Sequence, residues 1–341
     1  SCRFNCFQPR GVMQAVVFER YGPPGDVLQL RETAQPVPGR GEVLVRMIAS
    51  PINPSDVMFI EGRYTMAAQL PATPGFEGVG IVERSGGGIL GRLRKGKRVA
   101  VIHDQRGSWA EYTVTKSSLV VPVPDAIPDE QAAAFFVNPA TAIAMTRDVL
   151  RIPPGEWLLQ SAAGGELGKM IIRLGQRFGF RTMNVVRRRE QVEELKKLGA
   201  DQVLVEADGP VDEQVKRLTN GQGVRFVIDP VGGATGSGVI ASLGAGGRCL
   251  LYGSLTDEPL SVHPRRLISA AIRIDGFWLG QWAKQQSIPR MLRLFKQVRA
   301  MMTDGTLTSH IAAKYPLARV TEAVAHAVAP GKGGKVILTV N

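Results

Sequence analysis

Cysteine and histidine are scarce in these 341 residues: three of the first, Cys2, Cys6 and Cys249, and four of the second, His103, His263, His310 and His326. Three thiols cannot brace a chain of this length, so nothing asks for an oxidising compartment. The cytoplasm is the default expectation and the mitochondrial matrix the alternative. The histidines stand far apart and none lies at ligand spacing from another His, Cys or Glu, so no metal site is signalled. No apolar run approaches the ~20 residues a membrane-spanning helix needs. Aromatic residues make up only 6%, and no basic segment is interleaved with them in the way that stacks nucleic-acid bases. Acid is the scarcer charge, 30 residues against 42 Lys and Arg, leaving a net +12. Such an excess suits nucleic acid, an acidic membrane surface or an anionic small molecule.

The 44% hydrophobic content is that of a globular chain, and at about 100–200 residues per domain the length predicts two domains. Residues 1–12 carry Arg3 and Arg10 without an acid and show no periodicity, so they read as a leader or added segment. From Met13 to about residue 126, short Val- and Ile-rich runs at 42–50, 78–84, 98–102 and 110–114 alternate with Gly and Pro clusters, which predicts a mostly β domain. After Pro128 the rhythm changes. Strand-like runs at 157–160, 181–186, 202–205, 224–229, 247–252 and 271–278 alternate with helical stretches, which predicts an α/β, doubly wound parallel sheet. A long helical stretch, 287–304, and a last strand, 335–340, follow. That strand has no place in a completed six-stranded sheet, so it is expected back in the first domain. The expected division is 13–128 with 283–341 as one domain and 129–282 as the other.

One glycine turn stands where a dinucleotide fingerprint requires it, between the strand at 157–160 and a helix. Its sequence is AGGELG, 163–168. Gly164 and Gly165 let the backbone approach a pyrophosphate, Gly168 lets the helix pack on the strand, and the amides at Glu166 and Leu167 open the helix. Glu166 is discordant, because a carboxylate there competes with phosphate for the same amides. Nineteen residues past Gly168, where a carboxylate on the ribose hydroxyls would mark NAD, the chain places Arg187, Arg188 and Arg189. Guanidinium groups bind a 2′-phosphate bidentately, so the expected cofactor is NADPH. Cations at a helix start also oppose its dipole, a cost that a bound anion offsets.

The order of the two domains, with INPSD at 52–56, PGFEG at 74–78, GKRVA at 96–100, GSWAEY at 107–112 and LGAD at 198–201, resembles the medium-chain dehydrogenase/reductase superfamily from residue 13 to the end. The resemblance implies a GroES-like catalytic domain followed by a Rossmann-type NADPH domain. Zinc-dependent members carry Cys and His in the first two segments, where this chain has Asn53 and Phe76, so it resembles the zinc-free branch. Within that branch, NPSDVMFIEGRY at 53–64 and GFWLGQW at 276–282 are similar to the mitochondrial-type NADPH-dependent 2-enoyl thioester reductases. The likeness implies Tyr64 as catalytic proton donor and Asn53, Trp278 and Trp282 toward substrate. It places Asn138, Thr141, Tyr252, Gly253, Phe277, Trp278, Leu279 and Lys335 on the cofactor. Glu166 and Ser254 depart from the usual glycines.

The chemistry suits these residues, since a thioester enolate must be protonated on carbon and a tyrosine with its ordinary pKa near 10 can donate at neutral pH. The plainer reading of Tyr64 is packing in the cofactor cleft. A quinone or small enone is the alternative substrate, and an RNA-binding or structural protein on a reductase scaffold the reading from another class. The resemblance also implies a homodimer paired through residues 271–277. His103 reads as an exposed loop residue, Cys249 as a buried small hydrophobe, and Cys2 and Cys6 as incidental. A second basic set, Arg92, Arg94, Lys95 and Lys97, suits an anionic carrier or coenzyme tail.

Overall fold

The computed structural model describes residues 11–103 and 107–340; the expectations for residues 1–10, Cys2 and Cys6 among them, lie outside these. Strands follow the chain as β1 (Val12–Val17), β2 (Gln29–Ala34), β3 (Glu42–Pro51), β4 (Glu77–Ser85), β5 (Arg98–Ile102), β6 (Tyr112–Lys116) and β7 (Val120–Pro122). Then come β8 (Trp157–Gln160), β9 (Arg181–Val186), β10 (Gln202–Val205), β11 (Val224–Asp229), β12 (Leu243–Leu251) and β13 (Arg273–Gly276), and finally β14 (Ile311–Pro316) and β15 (Lys335–Thr339). The contacts divide the chain into one unit running through Val137 with Val298–Thr303 and Thr308–Asn341, and a second of Asn138–Gln297 with Asp304–Leu307.

In the first unit a seven-stranded sheet has the order β14-β15-β3-β4-β5-β7, with β6 also on β3, while β1 and β2 form a separate antiparallel pair. The C-terminal strand returns here, β15 running antiparallel to β3 with Leu338 opposite Ser50. Val336 and Leu338 thereby enter a core with Phe18, Ile52, Phe59, Ile60 and Trp109. The run expected at 110–114 is displaced to Tyr112–Lys116, because Ala110 bridges Ala15 of β1 instead of extending the ladder on β3.

The second unit holds a six-stranded, wholly parallel sheet of order β10-β9-β8-β11-β12-β13. That is the doubly wound arrangement, in which the strand order reverses beside the first strand and leaves a crevice at the carboxyl ends. The strands read as unbroken apolar runs because helices cover both faces. Helix Glu166–Phe178 shows the complementary pattern, burying Met170, Ile171, Ile172 and Leu174 and ending on Gly179 at φ 76°. Strand β12 begins four residues before the expected Gly247, since the glycine-rich stretch 244–247 is absorbed as a bulge between the pairs Val224–Leu243 and Phe226–Arg248. Strand β13 lies at the sheet edge with β12 on one side. Among the described residues no helix is long and apolar enough to cross a membrane.

Candidate active site and cofactor turn

In the first unit, Asn53 ends β3's connection and precedes helix Pro54–Ile60, with a proline at its first position. The spacing Asn-x-x-Asp then does what a capping pair does: the Asn53 backbone N–H donates to Asp56 at 2.7 Å. The other Asp56 oxygen accepts the Phe76 N–H at 3.0 Å, which fixes the strand entry of β4 to the helix start. Asp56 has no exposed surface, and burial pushes its carboxyl up to about 7 even though two N–H donors and Lys335 favour the anion; Glu77 opposes them.

The Asn53 side chain extends this arrangement. Its amide N–H donates to Glu77 at 3.0 Å and its carbonyl oxygen accepts from the Lys335 ammonium at 2.6 Å. The second Glu77 oxygen accepts the N–H groups of Phe136 and Val137 at 3.0 and 2.9 Å. Asn53, Glu77 and Lys335 are 3%, 1% and 5% exposed, so this is a closed polar network in which the Asn53 amide bridges a buried ammonium and a buried carboxylate. Asn53 and Phe76, where the resemblance implies Cys and His in zinc-dependent members, are not the usual zinc ligands. No group of three metal-ligating residues occurs among the described residues.

Tyr64 is half-buried against the apolar core that also takes in Phe59. Its backbone N–H returns to Met58, at 3.1 Å, closing the turn that follows the helix, and its ring packs on Phe76 with centroids 5.1 Å apart. Phe76 in turn meets Phe59 edge-on at 5.3 Å, and Phe59 meets Phe18 at 5.7 Å. The phenol is therefore held on an aromatic stack whose middle ring belongs to the residue whose backbone Asp56 binds.

In the second unit, the glycine turn leaves β8 with Gly165 as N-cap of the 13-residue helix Glu166–Phe178. Gly165 is exposed, and a Cβ on it would meet only the Ala162 carbonyl, at 3.3 Å, so the turn is open to a ligand. A Cβ on Gly168 would lie 2.5 Å from the Ala163 carbonyl, which is why helix and strand pack closely here. Gly164 is covered by Gln191, whose amide would lie 2.0 Å from a Cβ at that position. Arg187, Arg188 and Arg189 emerge exposed at the carboxyl end of β9; Arg189 pairs with Asp208. An open run of helix-start amides with guanidinium groups on the adjoining strand fits a dinucleotide bearing an extra phosphate.

At the same carboxyl ends, Ser161 donates to the fully buried Asp229, whose other oxygen accepts the Gly232 N–H at 2.8 Å. Tyr252 and Gly253 follow β12, the Tyr252 N–H bonding the Asp229 carbonyl at 3.0 Å. A Cβ on Gly253 would press on Pro230 at 3.0 Å. Phe277 is buried, Trp278 caps helix Leu279–Lys284, and the Trp282 ring stands 6.3 Å from Phe277. Asn138 and buried Thr141 lie on helix Val137–Ile143.

One expectation changes. His103 is buried rather than exposed, with Nε2 3.2 Å from the Thr113 hydroxyl, because β5 carries it under the sheet and its N–H bonds Phe76. Lys335, an expected cofactor residue, has its ammonium on Asn53, itself expected toward the substrate. Cys249 is fully buried, and burial raises its thiol strongly, as suits a small hydrophobe. Asp56, Glu77, Lys169 and Gln191 were not legible as functional; only Asp56 carried a signal, the capping spacing after Asn53.

Comparison with known proteins agrees with this fold. Residues 39–125 match the alcohol dehydrogenase GroES-like domain and residues 167–297 the zinc-binding dehydrogenase family. The mitochondrial enoyl-[acyl-carrier-protein] reductase of Rattus norvegicus is 31% identical over 340 residues, covering 98% of this chain and 91% of its own length. The Homo sapiens enzyme of the same name is 31% identical over 96% of this chain and 88% of its own. Among solved structures, a candidate NADPH:quinone reductase from Bacillus thuringiensis superposes with a TM-score of 0.91 at 34% identity, over 96% of this chain and 99% of that one. The complex of Etr1p with NADP and crotonyl-CoA superposes at 0.84 and 25% identity, over 96% and 100%.

Proposed function

The chain belongs to the medium-chain dehydrogenase/reductase superfamily, and from that footing we propose that it is an NADPH-dependent, zinc-independent reductase of the C=C bond of trans-2-enoyl thioesters, carried on coenzyme A or an acyl carrier protein. Residues 138–297 form the cofactor unit, and the unit bearing Tyr64 carries the chemistry of protonation. When bound, the nicotinamide supplies hydride to the β-carbon. The π electrons of the C=C bond move to the thioester oxygen as an enolate. Collapse of that enolate takes the Tyr64 hydroxyl proton onto the α-carbon, and the phenolate recovers a proton from water.

The observation that carries this reading is the mounting of Tyr64. A phenol stacked on Phe76, with Phe76 and the helix start both fixed by Asp56, is a proton donor held in place without metal. Arg187 and Arg188 support NADPH over NADH. The edge position of β13 supports a homodimer, for which a monomer in gel filtration would be contrary evidence. The mitochondrial curated relatives favour the matrix over the cytoplasm.

A quinone is the second reading, favoured by the 0.91 superposition on the Bacillus protein. Quinone reduction places its protons on oxygen, where water supplies them without a dedicated acid. NADPH oxidation measured side by side with crotonyl-CoA and 1,4-benzoquinone separates the two. The enoyl reading expects crotonyl-CoA to be preferred by at least about tenfold in kcat/KM, a ratio equivalent to ~1.4 kcal/mol of transition-state binding. The opposite preference would replace it with the quinone reading.

A further inference from the structure

A phosphate-binding turn that contains an acid needs an explanation, and Glu166 sits at the first helical position, directly after the N-cap Gly165. A carboxylate there is drawn to the same helix-start amides that a pyrophosphate uses. The side chain is nevertheless only 8% exposed, and Lys169, one turn along the same helix face and 6% exposed, puts its ammonium 3.2 Å from the carboxylate. The same ammonium lies 2.6 Å from Glu194, on helix Gln191–Lys197 just beyond the arginine run. Arg173, a further turn on, also feels the Glu166 charge. Burial alone would pull Lys169 toward its neutral form, but Glu194 and Glu166 together more than reverse that and keep it charged.

We infer that Lys169 is a positioning residue for the cofactor: it draws Glu166 back along the helix, leaving the turn amides to the pyrophosphate, and through Glu194 it ties the turn to the element that follows Arg187–Arg189. The inference rests on the NADPH reading above and goes beyond it. It explains why an acid is tolerated in this turn and makes Glu166 and Lys169 a dependent pair. Gln191, packed over Gly164, is a second tie between the same two elements.

The test is a double-mutant cycle on NADPH affinity, read by titration of the cofactor against intrinsic tryptophan fluorescence, with urea unfolding of the cofactor-free protein alongside. Lys169→Met is expected to weaken NADPH about tenfold, since it leaves a carboxylate beside the incoming phosphates. Glu166→Gly alone should bind NADPH as tightly as the wild type or tighter. The double variant should recover to within about threefold of Glu166→Gly, and Lys169→Arg to within about threefold of wild type. Equal weakening by Lys169→Met with and without Glu166, or no weakening at all, would overturn the inference. A single variant that does not fold, beside a double variant that folds and binds, supports it; failure of both to fold overturns it. Wild-type protein that does not bind NADPH would remove the cofactor reading itself, whereas wild-type binding unaltered by Lys169→Met removes only the role of Lys169.

Discussion

Around Asn53, in the unit that carries Tyr64, the ionisable groups are turned inward, whereas the arginines after β9, in the cofactor unit, are displayed. Asp56, Glu77 and Lys335 are at most 5% exposed and are joined through Asn53. Arg187, Arg188 and Gly165 face solvent, and the exposed Arg189 guanidinium pairs with Asp208. The contrast suits the function proposed for each unit. A phosphorylated cofactor is captured by charge it can reach, and a proton donor works from a fixed position, which a closed network supplies.

The comparison can be broken most forcefully by opening the closed network. Lys335→Met leaves Asn53 and the buried carboxylates without their cation and should cost about 3–5 kcal/mol in urea unfolding. NADPH affinity should change less than about threefold if Lys335 serves the network, a change below ~0.7 kcal/mol. A large loss of NADPH affinity with intact stability would assign Lys335 to the cofactor cleft.

Asp56 gives the next effect, through pH. Its folded pKa, about 7, lies above the ordinary value of 3.8, so the folded state holds a proton that the unfolded chain has released between those values. Stability from this group is therefore full below about pH 4 and lost as pH rises through about 7, by up to about 4 kcal/mol. Asp56→Asn, which does not titrate, should gain on wild type as unfolding is measured from pH 5 to pH 8. A constant difference across that range would contradict the burial of the acid.

On the displayed side, Arg187→Ala combined with Arg188→Ala should weaken NADPH by about 10–100-fold and NADH little, as expected for losing charge-assisted bonds to one phosphate. Arg189→Ala should have the smallest effect, under about threefold, because that guanidinium is already paired on the surface. If Arg189 outweighed the other two, the phosphate would have to lie on the Asp208 side.

Much of this fold was legible because the patterns are local. The apolar runs of the parallel sheet, the glycine turn and the arginines after β9 each lie within one short segment, and the returning strand could be inferred from having no place in a finished sheet. The closed network was not legible, since it joins Asn53, Glu77, Val137 and Lys335 across most of the chain length. Likewise, Glu166 looked discordant in sequence because the residue that answers its charge, Lys169, is a neighbour only once the helix forms, and Glu194 only once two helices pack. The burial of His103 was not legible for a similar reason: its partners, Phe76 and Thr113, lie on other segments of the chain.

The central claim, that a phenol mounted on Phe76 protonates carbon while the other unit holds the cofactor, is tested most directly by Tyr64→Phe assayed on two substrates. The account predicts a loss of at least about 100-fold in kcat for crotonyl-CoA, the usual worth of a positioned general acid, with quinone reduction and NADPH affinity each within about threefold of wild type. Equal losses on both substrates, or none on either, would contradict it.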